Sequence, residues 1–188
     1  LVGDLLALGR SGHRDFLHRR EVDLRDLVRD LELRVDGLGW DTVTVAPAPA
    51  VVVRVDGERL LQAVLNLVQN SIVHNQAGTT VDVDVSMASD RLVIRVIDDG
   101  DGIPEADRDR VLRPFVTLDA AAGGAHQSSG LGLAVVAAIT AAHGGVLRIL
   151  DASAGVVGVQ TGGVDRRIGP RGTTIEISLP VEQVVRRS

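Results

Sequence analysis

This 188-residue chain contains no cysteine and no lysine, and its aromatic side chains amount to Phe16, Phe115 and Trp40. Without cysteine, disulfides and thiolate metal sites are excluded. Without lysine, all 20 Lys-or-Arg positions are arginine, so the permanently charged cationic side chains are guanidinium groups. With so few aromatic rings, the core has to be built from Val, Leu, Ile and Ala. No apolar run is long enough to cross a bilayer, and no signal-peptide pattern opens the chain. A basic surplus is missing as well: the net charge of −5 argues against a general nucleic-acid binder. These absences predict a soluble, cytoplasmic domain with no nucleic-acid partner and no direct membrane contact. What is present is ordinary for a globular protein, with 45% apolar residues and enough length for one domain plus a short appendage. The chain opens at Leu1 rather than at methionine, which is expected of a piece of a longer protein.

Residues 1–9, "LVGDLLALG", read as the end of an amphipathic helix broken near Gly9 and Gly12. In "VDLRDLVRDLELRVD" (22–36), Leu24, Leu27, Val28, Leu31 and Val35 recur at helical spacing. "DTVTV" (41–45) and "VVVRV" (51–55) predict two short strands, and residues 57–75 a helix. "TTVDVDVSM" (79–87) and "RLVIRVID" (91–98) alternate about a turn at 88–90, the pattern of a hairpin. A turn of helix is expected near 105–112 and a longer helix from about Gly130 to His143, stopped by Gly144 and Gly145. "VLRIL" (146–150) and "TTIEISLP" (173–180) complete the strands, with a glycine-rich loop at 152–171. Helices and strands interleave without regular βαβ repetition. The fold class is therefore α+β: a two-layer sandwich of a mixed, largely antiparallel sheet with helices on one face.

Three stretches carry the chemistry. The helix at 58–75 is apolar on one side except for Ser71, while its other side holds Arg59, Gln62, Asn66, Gln69, Asn70, Val73 and His74. Asparagine is a poor helix former, and Asn66 and Asn70 stand one turn apart. Their amide oxygens suit a hard cation that also holds phosphates, but they also suit a plain polar surface. "DDGDGIP" (98–104) fails as a calcium loop, because its third and fifth positions are Gly100 and Gly102 and its twelfth is Asp109. A solvated turn stays open. So does a flat ligand whose exocyclic amine donates to Asp98 while the glycines let the backbone approach. "SSGLGLAVV" (128–136) places Gly130 and Gly132 at a helix start, where free N–H groups favour phosphate, or where close packing needs glycine.

The order amide helix, D-x-G-x-G, R-P-F, small-residue segment, G-L-G-L, H-G-G, G-T-T resembles the ATP-binding catalytic domain of bacterial two-component sensor histidine kinases, a Bergerat-fold ATPase family. The resemblance covers roughly residues 20–181, and residues 1–20 resemble the end of a dimerisation helix and its connector into a catalytic domain at 21–188. It implies that Asn70, with Asn66, forms the asparagine motif, and that Asn70 ligates Mg²⁺ bridging the ATP phosphates. Asp98 would accept the adenine amino group above Gly100 and Gly102, with Thr173 supporting the base through water. Phe115 would anchor a lid at 116–129, and Gly130, Leu131 and Gly132 would close over the phosphates. Asp99 and Asp101 would be exposed spacers.

The implied activity is protein histidine kinase: transfer of the γ-phosphoryl group of ATP to a histidine on a dimerisation helix, then relay to a response regulator. Inner-membrane anchoring of a longer parent is left open. Departures from the family pattern are Val73 and His74 in place of lysine and tyrosine, Val116 and Thr117 after Phe115, and Ser128 in place of a first glycine. No basic residue stands in 116–129, so Arg113 or an arginine of 152–171 would have to help offset phosphate charge. None of His13, His18, His74, His126 and His143 is followed by an acid, so no acceptor histidine is expected in the chain and no catalytic residue is assigned. His143 is expected to be structural, with any charge favoured at a helix C-terminus. The alternatives are a nucleotide-responsive interaction module with little kinase activity, or another Bergerat kinase such as an anti-sigma-factor serine kinase.

Overall fold

The structure, a computed structural model, describes residues 16–40, 42–76, 78–116, 130–152 and 172–184. The expected helix at 1–9, His13, most of the lid, with Thr117, His126 and Ser128, and residues 153–171 of the expected loop lie outside these. In chain order the elements are β1 (Arg20–Asp23), α1 (Leu24–Gly37), β2 (Val43–Val45), β3 (Val52–Val55), α2 (Gly57–His74), β4 (Val81–Ala88) and β5 (Arg91–Asp98). A 3₁₀ turn (Glu105–Asp107) then leads into a single helical turn, α3 (Arg108–Val111), followed by α4 (Gly132–Ala142), β6 (Val146–Asp151) and β7 (Thr173–Pro180).

Five strands form one sheet in the order β2-β4-β5-β7-β6. β2 runs parallel to β4, and the remaining pairs are antiparallel. Alternation decides which face is covered. Val81, Val83 and Val85 of β4, Leu92, Ile94 and Val96 of β5, and Ile175, Ile177 and Leu179 of β7 join one core with α2 and α4. Burying each such side chain contributes about 1.5–3 kcal/mol, so one continuous apolar face holds the helical layer without aromatic help. The opposite face carries a cross-strand row of alternating charge, Asp84, Arg95, Glu176 and Arg148, set by the register of β4, β5, β7 and β6. Arg95 lies 2.9 Å from Glu176 and 3.9 Å from Asp84, and Arg148 lies 3.8 Å from Glu176. The result is the expected two-layer α+β architecture.

One boundary differs from the sequence expectation. The helix does not begin at Val22: Arg20–Asp23 pairs antiparallel with β3 from Arg20↔Val55 to Asp23↔Val52. Asp23 then caps α1 by accepting the Arg25 N–H at 3.0 Å. Residues 182–184 lie along the other edge of β3, with Arg54 N–H donating to the Glu182 carbonyl and Val184 N–H to the Val52 carbonyl. This small ribbon sits apart from the main sheet and seats the start of α2, whose N-cap Asp56 follows β3 directly.

Residues 16–19 are tied to the same corner. Phe16 is buried, with the Arg59 guanidinium 4.8 Å from its ring centre. His18 N–H donates to Asp56 Oδ2 at 2.7 Å, and Arg19 donates to the Ala142 carbonyl at the end of α4.

Candidate functional site

Asp98 ends β5 and is buried, 5% exposed. Burying an ionisable carboxyl is costly unless donors surround it, and three do here. Ser71 Oγ donates to Oδ2 at 3.0 Å, Gly100 N–H donates to Oδ1 at 3.1 Å, and Thr173 N–H donates to Oδ1 at 3.3 Å. Burial pushes the Asp98 pKa up, opposed by hydrogen bonding from Gly100, Ser71 and Thr173 and, least of these, from the Asn75 side chain. Of the two carboxylate oxygens, Oδ1 accepts two backbone N–H groups while Oδ2 accepts the Ser71 hydroxyl, so Oδ2 is the oxygen with more room for a ligand donor.

The three donors come from α2, the loop after β5 and the start of β7, elements distant in sequence. Gly172 makes the approach of β7 possible, since a Cβ there would lie 1.8 Å from the Asp98 carbonyl oxygen. Thr173 is buried, 4% exposed, with its backbone turned to Asp98. Next to it, the fully buried Thr174 hydroxyl has no hydrogen-bond partner among the described residues. Gly102 adopts φ +80, a conformation that glycine takes without strain.

The second glycine cluster lies at the start of α4. Gly130, at φ +64, lies against the backbone of Phe115, where a Cβ would be 2.8 Å from the Phe115 carbonyl carbon. Phe115 N–H donates to the Gly130 carbonyl at 2.9 Å, closing the base of the 116–129 segment through backbone contact. The Phe115 ring is 71% exposed, so the residue anchors by its main chain and not by burying its side chain. Leu131 is buried in the core, leaving only its backbone for a ligand. Gly132 opens α4 directly against Asn70, and a Cβ there would lie 3.1 Å from Asn70 Oδ1.

Consecutive residues of α2 thus serve both clusters. Successive helical positions diverge by 100°, so Ser71 reaches Asp98 while Asn70 reaches the N-terminus of α4. Asn66 has a different setting: its Nδ2 is fully buried without a partner among the described residues, and the residue borders a shallow cleft of about 400 Å³ shared with Arg34, Glu58, Arg59 and Gln62. His74 is exposed at the end of α2, and Arg113 is exposed beside Phe115. Asp99 and Asp101 are exposed, as expected, but Asp99 is more than a spacer. Its carboxylate accepts the Thr80 N–H at 2.7 Å and the Thr80 hydroxyl at 2.8 Å, pinning the end of β5 to the start of β4.

Residues 55–183 match the family described as histidine kinase-, DNA gyrase B-, and HSP90-like ATPase. The chain belongs to this ATPase family. It is 36% identical over 151 residues to the probable sensor histidine kinase TcrY of Mycobacterium tuberculosis, covering 79% of this chain and 32% of that protein. The chain spans about a third of the length of the curated relatives it matches. Among solved structures, the mycobacterial sensor histidine kinase MprB is similar with a TM-score of 0.66 at 25% identity, covering 89% of this chain and 100% of that one. Full-length ShkA in complex with AMPPNP shares the fold with a TM-score of 0.72 at 23% identity, covering 98% of this chain and 36% of that one.

In this ATPase domain, His143 is a structural link, not a charged helix end. It is buried, its Nδ1 lies 2.9 Å from the Ile139 carbonyl, and its Nε2 accepts the Asp56 N–H at 3.2 Å. Burial pushes its pKa down, which favours the neutral ring and overturns the expectation of favourable charge there. The ring thereby ties the end of α4 to the start of α2. Metal chemistry is limited in kind: among the described residues no group of three or more acidic or histidine side chains gathers to form a cage. The Asn70 carboxamide beside Gly132 has no hydrogen-bond partner among the described residues, and its oxygen fits a Mg²⁺ ion completed by phosphates and water. No described helix is long and apolar enough to cross a membrane.

Proposed function

We propose that the chain binds ATP with Mg²⁺ and donates the γ-phosphoryl group to a histidine on a dimerisation helix outside this sequence, as the catalytic part of a sensor histidine kinase. One observation carries the reading: Asn70 and Ser71, adjacent on α2, join a buried carboxylate to a glycine-opened helix N-terminus. Asp98 accepts the adenine amino group, and its burial makes that bond selective, because a base without a donor there leaves the carboxylate unpaired. Gly100 and Gly102 keep the floor free of side chains, and Thr173 stands behind Asp98. At the other end, the backbone of Gly130, Leu131 and Gly132 receives phosphate at the start of α4. Asn70 places an amide oxygen for Mg²⁺, which when bound would neutralise phosphate charge, and Asn66 stands in the preceding turn of the asparagine motif.

In the transfer, an acceptor imidazole nitrogen bonds to the γ-phosphorus as the bond to the ADP oxygen breaks. The imidazole proton passes to a base beside the acceptor. Positioning and charge neutralisation dominate such a step. A response-regulator aspartate then receives the phosphoryl group. Residues 1–20 would be the end of the dimerisation helix and its connector, a reading supported by the anchoring of Phe16, His18 and Arg19 to the end of the α2–α4 pair where Asp56 meets His143. The expected location is the cytoplasm.

The test is to incubate the 188-residue chain with ATP, Mg²⁺ and a polypeptide carrying an acceptor helix from a related kinase, and to follow acid-labile phosphohistidine. Time-dependent labelling that requires both Mg²⁺ and the acceptor histidine is expected. Tight ATP binding with no transfer to any of a panel of acceptor helices would replace the kinase reading with that of a nucleotide-responsive module.

A further inference from the structure

Asn75 lies just past the end of α2, and its carboxamide is engaged on both sides. Nδ2 donates to the Ser71 carbonyl one turn back at 2.8 Å. Oδ1 accepts the Asp101 N–H at 3.2 Å, so the second bond crosses from the helix to the loop after β5. The contact leaves no spare room: a Cβ on Gly100 would stand 1.9 Å from Asn75 Oδ1 and 2.1 Å from its Cγ. Glycine at 100 is therefore what lets the Asn75 carboxamide hold this position, because any larger residue would push it aside. The two residues that Asn75 grips, Ser71 and the Gly100–Asp101 turn, are the same ones that direct donors at Asp98. Ser71 Oγ bonds Oδ2, and Gly100 N–H bonds Oδ1. Asn75 is only half-buried, so its conformation is held by these two bonds and by the Gly100 contact more than by packing.

We propose that Asn75 is a positioning residue for base recognition: it clamps the loop after β5 onto the last turn of α2, so that the remaining acceptor position of Asp98 faces the exocyclic amine of adenine. The proposal rests on Asp98 being the adenine acceptor. Asn75 does not itself touch the base. It acts by fixing where Ser71 and Gly100 hold the carboxylate, and through its own amide beside Asp98. Truncating it lets the 99–102 turn relax away from α2, which costs the angle-dependent bond to the amine and leaves the phosphate end, built on Asn70 and α4, as it was.

Isothermal titration of the 188-residue chain with Mg–ATP and with Mg–purine riboside triphosphate, which lacks the 6-amino group, reads that single bond. The intact chain is expected to prefer ATP, and Asp98→Ala to abolish the preference. Asn75→Ala is expected to reduce the preference by about 3–10-fold while leaving purine riboside triphosphate affinity within about 2-fold. Gly100→Ala drives a methyl group into the carboxamide and is expected to reproduce the loss. Combining the two substitutions should lose no more than either alone, because truncation at 75 makes room for the methyl group. Asn75→Ser, which keeps a short polar side chain, is expected to retain part of the preference.

If Asn75→Ala and Gly100→Ala leave the ATP preference intact while Asp98→Ala removes it, the positioning role is wrong and the adenine assignment stands. Equal weakening of both nucleotides would also overturn it, since that is what general loosening of the domain produces. An intact chain with no preference, or one that Asp98→Ala leaves unchanged, would remove the adenine assignment and this proposal with it.

Discussion

At the scale of single residues, Asp98 combines two opposed demands. Its burial disfavours the ionised form, while recognition of an amine needs that form as an acceptor. Because its folded-state pKa is raised, its contribution to stability is full at pH values below the ordinary carboxylate range and is lost as pH rises through the raised value. At neutral pH the ionised side chain therefore costs stability. Asp98→Asn, which can still accept from Gly100 and Thr173, is expected to weaken ATP binding by about 1–3 kcal/mol. The same variant should unfold at an equal or higher temperature than the parent at pH 7, with the difference narrowing as pH falls. Calorimetric titration and melting curves across pH check the two halves separately, and a variant that binds ATP normally would remove Asp98 from the pocket. Ser71, its partner on α2, was visible in the sequence only as one polar residue on an otherwise apolar stripe. That signal was sufficient to find it, but its target was not.

At the scale of elements, α2 and α4 work as a pair joined at both ends. At one end Asn70 meets Gly132, and at the other His143 accepts the Asp56 N–H while Arg19 reaches Ala142. The lowered pKa of His143 means that its stabilisation is present above the ordinary histidine value and is lost as pH falls through the depressed one. Protonation turns Nε2 from an acceptor into a donor facing the Asp56 N–H. Its electrostatic neighbours oppose one another, since Arg19 disfavours and Asp56 favours the charged ring. The melting temperature of the domain should therefore fall below about pH 6.5. His143→Gln, which keeps an acceptor but does not titrate, should flatten that fall at some cost in stability at pH 7.5. Parallel melting curves that never converge at low pH would mean that another group governs the transition.

At the scale of the whole molecule, the sheet separates two jobs. Its covered face holds α2 and α4 in place, and its other face carries the row from Asp84 to Arg148 across four strands. Arg95 sits between two carboxylates in that row, and Glu176 is itself 8% exposed. Arg95→Ala leaves Glu176 short of its nearest cation and should destabilise the domain by about 1–3 kcal/mol in urea unfolding. ATP affinity should not change, because the row lies on the face turned away from the helices. A simultaneous loss of affinity would show that the two faces are coupled.

The sequence by itself determined the layers of this protein. Periodicity identifies α1, α2, the β4–β5 hairpin and β7, because the side chains that must leave water recur at the period of the backbone that buries them. The order of D-x-G-x-G, G-L-G-L and the amide helix was also enough to mark the ATPase family. Tertiary structure alone decided β1, whose four residues show no alternation and become a strand only by pairing with β3. It decided why Gly100 and Gly172 are glycine, since a contact with Asn75 or with the Asp98 carbonyl leaves no periodic trace. It decided as well that burial favours the neutral ring of His143 and that Asn66 and Asn70, one turn apart, have different surroundings. The reason is the same in each case. Pattern along the chain reports what a residue needs from solvent, while distance, angle and burial between remote segments determine which groups it meets.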